Sequence, residues 1–94
     1  MYVRVVRFAY VTAERMEGLL AAVKESEGPP PGVPSRGLEI LFDKAQGTAV
    51  VLQFFNSAED MRTGDKVFAA MDPTETPGAR VSVDMCEKTL ELHV

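Results

Sequence analysis

An α+β fold with the element order β-α-β-β-α-β is predicted by three observations on this 94-residue sequence. Two stretches of helical periodicity, each preceded by a hydroxyl side chain, alternate with stretches of strand character. Two of the strand stretches, Tyr2 to Val11 and Thr48 to Phe55, are apolar at most positions, as strands buried on both faces are. The connections carry distinct turn chemistry: a triple proline, an Asp-Lys-Ala-Gln-Gly hairpin and a Pro-Gly turn.

Each element has its own justification. The first strand stretch is rich in Val, Phe and Tyr. Thr12 is placed to cap the helix that follows, and Glu14 favours its N-terminal dipole. Met16, Leu19, Leu20 and Val23 then recur at i, i+3, i+4 and i+7, which makes one apolar stripe. Gly28, followed by Pro29, Pro30 and Pro31, ends this helix. Gly28 to Gly37 reads as an irregular segment stiffened by prolines. Leu38 to Phe42 is a short strand, and Asp43 to Gly47 a hairpin connection in which Gly47 suits positive φ. Thr48 to Phe55 is a central strand. Ser57-Ala58-Glu59-Asp60 fits a capping box opening the second helix. There Met61, Phe68 and Met71 share a face, with Val67 and Ala70 at its edge. Glycine costs a helix interior about 1 kcal/mol relative to alanine, so Gly64 marks a close contact. Asp72-Pro73 stops the helix, and Pro77-Gly78 turns into the last segment.

In that segment, Ala79 to Val94, the apolar residues Val81, Val83 and Met85 alternate on odd numbers, whereas Leu90, Leu92 and Val94 alternate on even ones. A period of two changes phase only through an extra residue, which predicts a bulge or bend between Cys86 and Thr89. A strand of this length spans about 50 Å, against a radius of gyration of ~12 Å for the domain. It must bend or leave its own subunit.

The order is the split βαβ, or ferredoxin-like, arrangement: a four-stranded antiparallel sheet with two helices on one face. The remaining apolar side chains of the two central strands then lie on the other face. A second copy of the same sheet is the economical cover, giving an isologous homodimer to which the C-terminal strand can cross.

Composition narrows the function classes. The chain is short enough for one domain, residues 1–94. With 46% hydrophobic and 26% charged residues it is globular in composition rather than disordered. No apolar run approaches the ~18 residues that cross a bilayer, and the opening Met1-Tyr2-Val3-Arg4 lacks a signal-peptide pattern. The single cysteine, Cys86, makes neither an internal disulfide nor a structural zinc site. A cytoplasmic protein without a membrane partner is the expectation. A net charge of −4, from 14 acidic and 10 basic residues, argues against nucleic acid.

Four motifs give the chain a family likeness. It opens with Met1-Tyr2-Val3-Arg4-Val5, has the Asp43 to Gly47 hairpin, places Phe55-Asn56-Ser57-Ala58-Glu59 at a strand-to-helix junction, and ends its regular pattern with Arg80-Val81-Ser82-Val83-Asp84-Met85-Cys86-Glu87. In order and spacing these resemble the dimeric α+β barrel superfamily, in its antibiotic-biosynthesis-monooxygenase-like (ABM-like) branch. The resemblance implies a homodimer with an apolar cavity between helices and sheet in each subunit. It also implies binding of a small apolar or aromatic molecule, and cofactor-independent oxygenation of quinol-like compounds as the reaction class. Active relatives often carry a Trp at the junction and an Asn on the first strand. Here the junction residue is Phe55, there is no tryptophan, and the first strand has no asparagine. Haem-binding relatives use a histidine in the second helix, which this chain lacks, so no cofactor is expected. A non-catalytic ligand-binding or dimerisation module is the alternative.

The candidate residues follow. Arg4 and Arg7 interrupt the first strand and, being three apart, point to opposite faces. One meets solvent or a partner, and the other reaches the cavity or forms an ion pair, for instance with Asp84 or Glu87. Arg7 and Asn56 are the candidates to steady a developing anion. The implied pocket wall is Phe55, Phe68, Met71 and Met61, with Met16 and Leu20 from the first helix. Tyr2 and Tyr10 share the Arg4 face. His93, the lone histidine, is expected at the surface or an interface, and Cys86 as a buried or bulge-lining thiol. No residue set suggests a metal site.

Overall fold

A computed structural model describes residues 1–26, 28–70 and 76–94. Its elements are β1 (Tyr2–Ala9), α1 (Ala13–Glu25), β2 (Gly37–Asp43), β3 (Thr48–Phe55), α2 (Ala58–Ala69) and β4 (Ala79–Glu87). The strands form one antiparallel sheet in the order β2-β3-β1-β4. This is the ferredoxin-like α+β arrangement, with the two most apolar strands at the centre.

Register fixes which side chains share a face. β1 and β3 pair from Tyr2 opposite Phe55 to Phe8 opposite Ala49. Arg4, Val6 and Phe8 alternate inward on β1, as do Ala49, Val51, Gln53 and Phe55 on β3, and all are buried. Val3, Val5, Val50, Leu52 and Phe54 take the other face, where no helix lies, and are only half-buried.

β1 is two residues shorter than the sequence suggests. Tyr10 adopts a left-handed φ of 54° and stands 85% exposed, so the strand stops at Ala9 and Tyr10 leaves the Arg4 face. Val11 then donates its backbone N–H to the Gly47 carbonyl at 2.8 Å, in the hairpin where Gly47 has the expected positive φ.

Both caps form as the sequence indicates. Thr12 Oγ1 accepts from Arg15 N at 3.1 Å, and Ser57 Oγ from Asp60 N at 3.0 Å. Helix α1 buries Met16 and half-buries Leu19 and Val23. Leu20, expected in the same stripe, is 37% exposed; Met16 and Leu19 are the stripe residues that pack into the cluster on the sheet. Helix α2 ends at Ala69, and the expected stop at Asp72-Pro73 lies outside the described residues.

The last strand differs most from expectation. β4 ends at Glu87 instead of running to Val94, and its irregularity falls elsewhere. Arg7 pairs with Ser82 but Phe8 with Arg80, so Val81 is the extra residue of a bulge. The phase change at Cys86 to Thr89 has a simpler cause, because the strand stops there. Lys88 N donates to the Met1 carbonyl at 2.9 Å, and beyond it the chain is exposed, with Leu90 at 73% and Leu92 at 78%.

Candidate functional site

The helix-covered side of the sheet holds two apolar clusters. Val6, Phe8, Val11, Met16, Ala49 and Val51 form one, with Leu19, Ile40, Phe42 and Val83 against it. Val33, Phe55 and Met61 form the other, with Tyr2, Val67 and Phe68. Between them lies the cross-strand pair Arg4 and Gln53, 2% and 6% exposed.

This row is the most polar part of the interior. Arg4 Nε donates to Asp65 Oδ1 at 2.8 Å and Nη1 to Gln53 Oε1 at 3.0 Å, while the guanidinium lies 5.2 Å from the Phe68 ring centre. The partner is therefore Asp65 on α2, where sequence reading placed Asp84 or Glu87. Asp84 shares the opposite face with Val5, and Glu87 lies opposite Tyr2 at the sheet edge. Two signals in the sequence mark the missed residues. Gln53 is the one polar residue on the inward phase of β3, and Asp65 lies one turn from Met61 and Phe68 beside the buried Gly64.

Among the described residues no buried side-chain nitrogen or oxygen lacks a hydrogen-bond partner. Asp65 neutralises Arg4, so the row fixes α2 over the sheet without leaving an unbalanced buried charge. Gly64 lets that approach happen: a Cβ there would sit 2.8 Å from the Phe55 ring.

The expected site residues separate. Phe55 is fully buried and packs with Met61, and Phe68 covers Arg4. Met16 belongs to the other cluster and Leu20 is outside both. Met71 lies outside the described residues. Asn56 is exposed at the Phe55 end of β3. Arg7 is exposed five residues along β1 from Tyr2, the partner of Phe55, and Asn56 lies one residue beyond Phe55, which separates Arg7 and Asn56 by about 20 Å along the strand direction. Cys86 is exposed opposite Val3 rather than buried. His93 is exposed and touches Glu91 at 2.6 Å.

Arg7 has a setting of its own. Beside the Val81 bulge lies a depression lined by Arg7, Thr48, Val50 and Val81 among others. A cation there sits beside apolar walls, a pairing of charge and apolar surface chemically suited to an anionic oxygen on an apolar molecule. Among the described residues no group of three or more His, Cys, Asp or Glu is placed to hold a metal ion. Likewise, no described helix is long and apolar enough to cross a membrane. No family model matches the chain, nor does any curated protein or solved structure.

Proposed function

We propose that the chain is a homodimeric α+β barrel domain that binds a small, largely apolar or aromatic molecule bearing an anionic oxygen. One observation carries this reading: the helix-free sheet face presents Val3, Val5, Val50, Leu52 and Phe54 half-buried and Leu41 54% exposed. A contiguous apolar face of this kind marks an interaction surface, and a second copy offers an equal area of the same character. A partner sheet over it would also roof the Arg7 depression and enclose the ligand. The resemblance to the ABM-like branch implies cofactor-independent oxygenation in a cavity between helices and sheet, whereas the Arg7 depression lies on the helix-free face. Arg7 is the group that would steady a phenolate-type anion.

A second reading, a non-catalytic dimerisation module, has its own support in the close packing around Phe55 and the internally neutralised Arg4. One experiment separates the two. Native mass and thermal midpoint are measured together, with quinols, anthrone-like aromatics and fatty acids offered to the protein and to Arg7→Ala. A dimer stabilised by one compound class, with the shift lost in Arg7→Ala, supports ligand binding. Saturation at 100 times the dissociation constant gives ~2.7 kcal/mol. A dimer that no compound shifts supports the second reading, and a monomer overturns both.

A further inference from the structure

Beyond β4 the chain turns. The Lys88 ammonium bonds the Glu91 carboxylate three residues on, and His93 touches the other Glu91 oxygen at 2.6 Å. In an extended strand, residues 88 and 91 would point to opposite sides and lie about 10 Å apart. Phe54 shows which way the turn goes. Lys88 continues the helix-free phase of β4, on which Asp84 and Cys86 lie opposite Val5 and Val3. Its ammonium stands 5.9 Å from the Phe54 ring centre, although Phe54 belongs to β3 and β1 lies between. The Lys88 side chain therefore crosses the helix-free face, and the Glu91 carboxylate it holds lies above that face. Leu90 and Leu92, on either side of Glu91, are exposed, while the face offers Val3, Val5, Leu52 and Phe54 half-buried.

We propose that the tail, residues 88–94, is a strap that closes over the helix-free face of its own subunit, setting Leu90 and Leu92 on Val3, Val5, Leu52 and Phe54, and that it must open before a second copy docks there. The inference rests on the homodimer reading and adds a control on it. Reach and tethering both favour the tail's own face. Residues 89–94 span up to about 20 Å, whereas Leu52 lies only about 7 Å from Phe54 along β3. A segment tethered this closely meets the face at an effective concentration on the order of millimolar, far above that of a second copy in dilute solution. Docking then requires two open straps. With about a third of the copies open, both partners are open in about a tenth of encounters, which weakens the dimer about tenfold.

Two measurements test the strap. Leu90 and Leu92 belong to neither core cluster, so Leu90→Ser with Leu92→Ser leaves the fold intact. Sedimentation equilibrium should place the dimer dissociation constant of this double variant about tenfold below that of the unaltered chain, because serines no longer hold the strap closed. In a mixture of isotope-labelled and unlabelled protein, methyl cross-peaks from Leu90 or Leu92 to Val5 or Leu52 should arise within one copy. An unchanged constant in a protein that dimerises overturns the strap and leaves the homodimer reading in place. A raised constant does the same, since the tail then adds to the contact between copies, and cross-peaks found only between copies agree with that result. A monomeric native mass for both proteins overturns the homodimer reading; cross-peaks within one copy would still place the tail on its own face, and their absence would overturn that as well.

Discussion

Alanine at Gly64 and alanine at Gly18 are the same chemical change in two helices, and the structure separates their outcomes. Around Gly18 nothing lies within 4 Å of an added Cβ. Gly18→Ala therefore gains only helix propensity, about 1 kcal/mol. At Gly64 the new carbon sits 2.8 Å from Cε1 and Cζ of Phe55, with Val33 Cγ1 at 3.5 Å. Phe55 is fully buried against Val33 and Met61, so its ring has nowhere to turn. Overpacking of this kind costs about 1–3 kcal/mol, which cancels or exceeds the propensity gain. The two variants should thus differ by that overpacking cost. For a domain of this size, each kcal/mol moves the midpoint by roughly 4–8 °C. The assay is paired thermal or urea unfolding at one protein concentration, so that self-association contributes equally to both. If Gly64→Ala stabilises as much as Gly18→Ala, α2 does not sit against Phe55 as described and the argument fails.

Two further predictions concern charge. Asp65→Ala leaves Arg4 buried without its counter-charge and should cost about 2–3 kcal/mol, discounted from a fully buried pair because the Asp65 side chain is 37% exposed. Arg4→Met with Asp65→Ala should recover part of that loss, and a double-mutant cycle showing no coupling would refute the ion pair. The tail supplies the pH dependence. Hydrogen bonds from Lys88 first and His93 second hold the Glu91 carboxyl below its ordinary 4.5. A lowered folded value means the local order is fully present above pH 4.5 and is lost as the pH falls through the lowered value. An NMR titration should show the Glu91 midpoint move up in Lys88→Ala; an unmoved midpoint would remove the Lys88 contact as its cause.

How far the sequence was legible depended on whether the signal was local. Caps at Thr12 and Ser57, the hairpin at Gly47 and the close contact at Gly64 each depend on a few neighbouring residues, and each appears where expected. Strand parity correctly sent Arg4 and Arg7 to opposite faces, while the placement of Phe55 on the helix side came from the family resemblance. The Arg4 partner was not legible, because Asp65 is 61 positions away and its approach depends on how α2 crosses the sheet. The β4 bulge also escaped. The alternation of Val81, Val83 and Met85 is unbroken in sequence, and the slip shows only when β4 is set against β1. The phase change after Cys86 was a true signal with the wrong cause, since leaving a sheet and bulging within it disrupt a period of two alike.

The polar row of Arg4 and Gln53 also bears on how the molecule comes apart. It interrupts apolar contact between the α1 half and the α2 half, and α1 packs into its cluster through buried Met16 and half-buried Leu19, with an exposed hydrogen bond from Arg15 Nη2 to the Thr76 carbonyl. Cooperativity across such a seam is carried by the continuous backbone ladder of β1 and β3 rather than by shared side-chain packing. Helix α1 is thereby the segment able to detach while the sheet and α2 persist, an opening unit within the native state that hydrogen exchange would resolve as a distinct, low-free-energy step.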